Sequence, residues 1–286
     1  MGDNHRHLVI AGPCSLESRE QLELIVHQLN NVDMVRIGLW KPRTNPNDFQ
    51  GIGEIGLEWI REMNRAYNTA FTVEVATPRH VELVLKAGIK TLWIGARTTT
   101  SPFAVQEIAE ALRGVDIQLM VKNPIHPELK LWLGAFERFD KVGIKNLLAI
   151  HRGFYTGFEM KYRNSPLWRL PRQLKQEIPH IPLICDPSHM AGDVKWIEEI
   201  TLMALKLEYD GFMFEVHPCP KQALSDAKQQ LMPIEFKQIV DKLIENRNIE
   251  KIEEDSYRLL CLEEEIRQLD QIMSRLLRER EQIKRC

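Results

Sequence analysis

The chain has 286 residues, 44% of them hydrophobic and 27% charged, with a formal net charge of −2 and five cysteines. Near-neutral charge gives no basis for a nucleic-acid or membrane partner, and no apolar run is long enough to cross a bilayer. An odd number of cysteines without framework spacing points to reduced thiols, and the polar start, Met1 to His7, runs straight into a strand-like segment, so no signal peptide is expected and the cytoplasm is the expected compartment.

Short branched-apolar segments then alternate with amphipathic ones. Residues 7–11 read as a strand and 18–29 as a helix; 34–38 as a strand and 56–67 as a helix. The pattern continues with a strand at 71–75, a helix at 80–87, a strand at 91–95 and a helix at 102–112. Strand 117–122 precedes helix 127–142. Strands 146–150 and 182–186 follow, then helix 194–206, strand 212–216 and helix 234–245. The strands are short and apolar throughout, as strands buried on both faces are. About eight β-α units in roughly 245 residues match a closed (β/α)8 TIM barrel. A doubly wound sheet would carry a glycine-rich dinucleotide turn after the first strand, and there is none.

From Asn248 the pattern changes. Leu259, Leu262, Ile266, Leu269, Met273, Leu276 and Ile283 follow a 3-4 spacing with Glu and Arg between them, a helix with a narrow apolar seam that calls for a partner surface. Arg280 occupies a seam position. Residues 250–255 read as an acidic, exposed linker. The expected organisation is a barrel over 1–247 and a linker plus helical appendage over 248–286.

Barrel enzymes carry their chemistry at the C-terminal ends of the strands. Two groups of polar residues gather there. Cys14, His189, Glu215 and Asp226 would together suit a borderline divalent transition metal such as Mn, Fe, Co or Zn. Singly, each also has a plainer role: a free cysteine is often a small buried apolar residue, and a histidine after a strand is often a cap. The second group is cationic: Arg36, Lys41, Arg43, Arg97, Lys122 and Arg152. These sit at or just after buried strands, where an unpaired charge is costly. Planar guanidinium groups suit phosphate and carboxylate. A phosphorylated, polyanionic small substrate beside a metal is the inference, and residue chemistry alone does not name the reaction.

Six segments in order do more. Ala11-Gly12-Pro13-Cys14-Ser15, Lys41-Pro42-Arg43-Thr44, Ile94-Gly95-Ala96-Arg97, Asp186-Pro187-Ser188-His189, Glu215-Val216-His217-Pro218 and Ala223-Leu224-Ser225-Asp226 resemble the 3-deoxy-D-arabino-heptulosonate 7-phosphate (DAHP) synthases. The likeness is to the compact subfamily related to 3-deoxy-octulosonate 8-phosphate synthase, and it covers about residues 6–245. It implies condensation of phosphoenolpyruvate with erythrose 4-phosphate, the entry step of the shikimate pathway to aromatic amino acids. By this resemblance Cys14, His189, Glu215 and Asp226 ligate the metal, manganese foremost, with Fe, Co or Zn as alternatives. Arg36, Arg97, Lys122 and Arg152 hold phosphoenolpyruvate, and Lys41, Pro42, Arg43 and Thr44 hold erythrose 4-phosphate, with Lys41 between the substrates. Glu74 is the family's active-site carboxylate, and it and Lys41 are the catalytic candidates. Two departures stand out. Lys122 is followed by Asn123-Pro124 where the family has Arg-Gly, and His151 replaces the usual residue before Arg152.

The rival within the superfamily is an octulosonate synthase using arabinose 5-phosphate, which carries a Lys-Ala-Asn-Arg type segment where this chain has Lys41-Pro42-Arg43-Thr44. A non-catalytic phosphometabolite sensor and a Schiff-base aldolase at Lys122 are rivals of other classes. The C-terminal helix resembles the first helix of an AroQ-type chorismate mutase. Arg280 matches one catalytic arginine, but Glu263 stands where the first-helix arginine is expected. An active mutase is not expected. A homo-oligomer is, dimer or tetramer, in which this helix pairs between subunits.

Overall fold

In the computed structural model the described residues are 7–285, apart from 30, 44, 158–160 and 247–248. β1 (Leu8–Gly12) leads to α1 (Arg19–Gln28), β2 (Met34–Ile37), α2 (Ile55–Tyr67), β3 (Phe71–Val75), α3 (Pro78–Lys86) and β4 (Thr91–Ile94). A single turn, α4 (Ala96–Thr99), precedes α5 (Pro102–Ala111), β5 (Gln118–Lys122), α6 (Leu129–Lys141) and β6 (Asn146–His151). Then come α7 (Arg169–Glu177), β7 (Leu183–Cys185), α8 (Pro187–Ala191), α9 (Ile197–Lys206), β8 (Gly211–Glu215), α10 (Pro233–Glu245) and α11 (Glu254–Arg285). The strands close in sequence order, all parallel, with β8 pairing back onto β1. This is the expected (β/α)8 barrel, followed by a helix that adds no further strand.

Side-chain alternation along each strand divides the core in two. Ile10, Met34, Trp93, Met120, Leu148, Ile150, Ile184 and Met213 fill the barrel interior. Their neighbours, such as Val9, Ala11, Val35, Leu92 and Phe212, face the helices in the larger outer core. The same period of two sets the site. Two residues beyond Met34, Met120, Ile150, Ile184 and Met213 stand Arg36, Lys122, Arg152, Asp186 and Glu215. The apolar interior is thus capped at the C-terminal ends of the strands by a layer of charge.

The helix starts follow capping chemistry. Ser18, Thr77 and Ser101 accept from backbone N–H groups of α1, α3 and α5, the last two helices opening with proline. α3 therefore begins two residues before its expected start. Three helices were not expected. α4 and α8 are single turns, too short for periodicity to show. α7 buries only Pro171 and Leu174, and its short apolar stripe is set in a segment that is strongly polar on average.

The expected boundary at 247/248 lies outside the described residues. The linker differs from expectation: Glu254 and Asp255 belong to α11, and Ile252 donates its N–H to the Lys206 carbonyl and packs on the core. Tyr257 and Cys261 are buried, and Tyr257 donates its hydroxyl to the Trp168 carbonyl. Beyond them the seam residues Leu269, Met273, Leu276 and Ile283 are exposed. Among the described residues no helix is long and apolar enough to cross a membrane.

Candidate active site

Over the charged layer opens a cavity of about 610 Å³. Lys41, Arg43, Arg97, Lys122, Arg152 and Arg163 line it, against two carboxylates, Glu74 and Asp226, with Cys14 and His189 at its edge. An excess of cations in a concave, partly desolvated space attracts a polyanion.

Cys14, Glu215 and Asp226 each offer a ligand atom, and these atoms lie within 4.8 Å of one another. Cys14 leaves β1 with its thiol buried, 3.0 Å from Ser225 Oγ and 3.5 Å from Asp226 Oδ2. Burial pushes that thiol up to about 12, with Glu215 and Asp226 adding to the shift. It therefore holds its proton at neutral pH until a cation displaces it. Glu215 ends β8; its Oε2 accepts from Gln229, while its buried Oε1 lacks a hydrogen-bond donor. A carboxylate oxygen held only by ion pairing, 3.0 Å from Arg36 Nη2, next to a thiol and a second carboxylate fits a divalent cation.

The fourth expected ligand, His189, is not within that mutual cluster, but its Nε2 is 3.6 Å from Glu215 Oε1. Its Nδ1 faces Asp186, 2.8 Å from Oδ2. Burial lowers the imidazole pKa more than Asp186 and Glu215 raise it, leaving a neutral ring with a lone pair to offer. Asp226 stands at φ 45 in the left-handed region that aspartate tolerates, and Arg163 Nη1 donates to its Oδ1 at 3.0 Å. Burial opposes its ionisation, but the charge and hydrogen bond of Arg163 hold its carboxyl below the ordinary carboxylate range.

Asp186 joins the two halves of the site. Its Oδ2 accepts from Lys122 Nζ at 2.7 Å and lies 3.9 Å from Arg36 Nη1. Burial alone would raise its pKa; His189, Lys122 and Arg36 together hold it well below normal. Lys122 is pulled down by burial and by Arg36, against the attraction of Asp186. Arg36 differs from expectation. It lies beneath the cavity and is absent from its lining, with Nη2 3.0 Å from Glu215 Oε1 and the guanidinium 5.2 Å from the centre of the Trp93 ring.

Lys41 Nζ stands 3.8 Å from Glu74 Oε2. Glu74 takes its position because Gly95 has no side chain: a Cβ there would meet Glu74 Oε1 at 2.0 Å. The Pro42 carbonyl accepts from Arg97 Nη1 at 2.9 Å, and Arg43 Nε donates to the Phe49 carbonyl at 2.8 Å. Thr44 lies outside the described residues.

The two sequence departures have a structural role. Asn123 is buried and fully engaged: Nδ2 donates to the Pro124 and Gly153 carbonyls, and Oδ1 accepts from the Arg152 N–H at 2.7 Å. It ties the end of β5 to the Arg152 turn. His151 is buried among Trp132, Phe154, Trp168 and Tyr209, with Nδ1 2.7 Å from the Tyr209 hydroxyl. Burial lowers its pKa to about 3, so it is neutral. Burial also lowers Arg152, to about 10, which leaves it cationic at neutral pH.

Sequence reasoning did not assign Arg163, Asn164 or Asp186. Asp186 was visible as the first residue of the Asp186-Pro187-Ser188-His189 segment. Arg163 and Asn164 sit in the long loop after β6, on the catalytic face, and their polar composition was the one available signal.

Residues 1–249 match the DAHP synthetase I family. A phospho-2-dehydro-3-deoxyheptonate aldolase of Thermotoga maritima is 32% identical over 238 residues, covering 82% of this chain and 68% of its own. A 2-dehydro-3-deoxyphosphooctonate aldolase of Wolinella succinogenes is 23% identical over 264 residues, covering 83% of this chain and 98% of its own. The crystal structure of a Thermotoga maritima DAHP synthase is similar with a TM-score of 0.76 and 29% identity, over 86% of this chain and 70% of that one. For a truncated form of the Thermotoga enzyme the values are 0.73 and 27%, over 86% and 88%.

Proposed function

Because the chain belongs to the DAHP synthetase I family, we propose that it condenses phosphoenolpyruvate, erythrose 4-phosphate and water to 3-deoxy-D-arabino-heptulosonate 7-phosphate and phosphate. The observation that carries the reading is one cavity in which six cations face a thiol, an imidazole and two carboxylates, with a third carboxylate, Glu215, just beneath. The family is a metal-dependent aldolase-type one. Cys14, Glu215 and Asp226, with His189 turning toward Glu215, would hold the ion, and the two hard carboxylate oxygens beside softer donors support manganese as our choice among Mn, Fe, Co and Zn. A divalent ion bound there supplies Lewis-acid polarisation of the aldehyde oxygen.

The chain's own residues do the rest. Arg97, Lys122 and Arg152 bind the phosphate and carboxylate of phosphoenolpyruvate, joined by Arg163, and fix its C3 toward the aldehyde carbon. Such orientation contributes a large part of the rate enhancement in bimolecular condensations. Lys41, Pro42 and Arg43 receive erythrose 4-phosphate. The new bond joins C3 of phosphoenolpyruvate to C1 of the sugar, Lys41 Nζ gives a proton to the aldehyde oxygen, and water adds at C2. Glu74 takes one proton from that water and returns it to Lys41, 3.8 Å away; phosphate leaves with cleavage of its C2–O bond and carries off the second water proton as C2 becomes a carbonyl. Arg36 acts from below, holding Glu215 and Asp186 ionised.

The four described cysteines are all free, which supports a reducing, cytoplasmic setting. The exposed apolar seam of α11 supports pairing between subunits of a homo-oligomer. The family match ends before α11, and we assign that helix no mutase activity.

The test pairs two sugars. The metal-loaded protein should consume phosphoenolpyruvate with erythrose 4-phosphate and be far slower with arabinose 5-phosphate. The reverse preference would make it an octulosonate synthase, and consumption of neither would remove the synthase reading.

A further inference from the structure

The loop between β6 and α7 brings Arg152, Arg163 and Asn164 to the cavity, and its far side meets α11. There Glu264, the middle of three consecutive glutamates, turns inward. Its Oε1 accepts from Ser165 Oγ at 3.0 Å and from the Leu167 N–H at 2.8 Å, and its Oε2 accepts from the Trp168 N–H at 3.3 Å. One turn on, Gln268 Nε2 donates to Ser165 Oγ at 3.0 Å. Leu167 has φ 42, a left-handed conformation that leucine rarely adopts without outside support. Burial raises the Glu264 pKa, opposed by the bonds from Leu167, Ser165 and Trp168. A carboxylate taken out of water to serve another segment's donors does nothing for its own helix.

From this contact the bonding runs inward without a break. Ser165 exchanges two backbone hydrogen bonds with Phe154, at 2.8 and 2.9 Å. Asn164 Oδ1 accepts from Arg152 Nη1 at 2.7 Å, and its Nδ2 donates to the His189 carbonyl at 2.6 Å. Arg163 reaches Asp226.

We propose that Glu264 is a positioning residue of the synthase reaction: it clamps residues 165–168 so that Asn164 and Arg163 hold Arg152 and Asp226 in their working places. α11 is then part of the phosphate-binding side of the site and not a separate appendage. The inference rests on Arg152 as a phosphoenolpyruvate ligand, as assigned above.

The test uses the full chain loaded with Mn²⁺, as wild type, Glu264→Ala, Glu264→Gln and Arg152→Ala. Calorimetric binding of phosphoenolpyruvate is measured together with KM for each substrate, kcat and the melting temperature. Glu264→Ala should raise the Kd and KM for phosphoenolpyruvate about tenfold and leave the KM for erythrose 4-phosphate within about twofold, since Lys41 and Arg43 are held by Glu74 and the Phe49 carbonyl and not by the clamped loop. Glu264→Gln should fall between, because its amide keeps one acceptor oxygen and turns a donor on another. If alanine prevents folding, Gln268→Ala, which removes only the bond to Ser165, should give the same split at smaller amplitude. A mere anchor for α11 would lower the melting temperature, and kcat through loss of active protein, without splitting the two KM values. That outcome overturns the clamp. Wild-type phosphoenolpyruvate binding in Glu264→Ala beside a loss in Arg152→Ala also overturns it alone, whereas wild-type binding in Arg152→Ala removes the site assignment and the clamp with it.

Discussion

Replacing Asp186 with asparagine changes one functional group at the centre of the site and leaves its shape nearly intact. Both carboxylate oxygens are in use. Oδ2 takes the Lys122 ammonium at 2.7 Å and lies 2.8 Å from His189 Nδ1, while Oδ1 accepts the His189 backbone N–H at 3.1 Å and so caps α8. An amide can serve only one of these roles. Turned one way, its NH₂ faces the Lys122 cation; turned the other, it faces the N–H that it should cap. Lys122 and Asp186 are both buried, so the variant leaves a buried ammonium without its counter-charge, a change that costs about 3–5 kcal/mol in comparable buried pairs. Lys122 can relieve this by giving up its proton, since burial already lowers its pKa. The loss of stability in Asp186→Asn should therefore be large at pH 7 and smaller at pH 9, read from urea unfolding midpoints at the two values. The same change loosens the His189 ring, and losing a carboxylate that orients a ligating histidine typically costs about 10–100-fold in metal affinity, to be read by chelator competition. Unfolding midpoints and metal affinity both equal to wild type would refute this account of Asp186.

Two further expectations follow from the geometry. His151 titrates near 6.5 when unfolded and at about 3 when folded. The unfolded chain therefore binds more protons between those values, and stability is lost as pH falls from about 6.5 toward 3. The loss from pH 7 to pH 5 is about 2 kcal/mol; His151→Gln should flatten that slope in urea unfolding, and an unchanged slope would mean that the ring is not the group responsible. Gly95→Ala should fold normally yet lower kcat by about tenfold or more, because the new methyl group displaces Glu74 from Lys41; a wild-type kcat would remove Glu74 from the proton-handling role.

The barrel could be read in the sequence because both faces of each strand are buried, so eight short apolar runs stand out from amphipathic helices. The charged layer was also legible, since residues such as Arg36, Lys122 and Glu215 fall two positions past interior apolar residues at strand ends. What failed to show was anything whose role is set from a distance. α7 hides behind a polar sequence because it is packed through only two side chains. Arg36 carries the same strand-end signature as Lys122, yet its pairing with Glu215 and Asp186 draws it beneath the cavity. Arg163 acts through a loop that returns to Asp226, some sixty residues further on. Glu264 is indistinguishable in sequence from Glu263 and Glu265, and only the packing of α11 on residues 165–168 selects it.

Condensation is proposed to depend on a metal centre to which Cys14 belongs. The most direct measurement follows phosphoenolpyruvate consumption with erythrose 4-phosphate before chelation, after it, and after Mn²⁺ is restored, in the wild type and in Cys14→Ala. The wild type should lose turnover on chelation and recover it with Mn²⁺, and the variant should show none under any of the three conditions. Undiminished turnover after chelation, or full activity in Cys14→Ala, would contradict it.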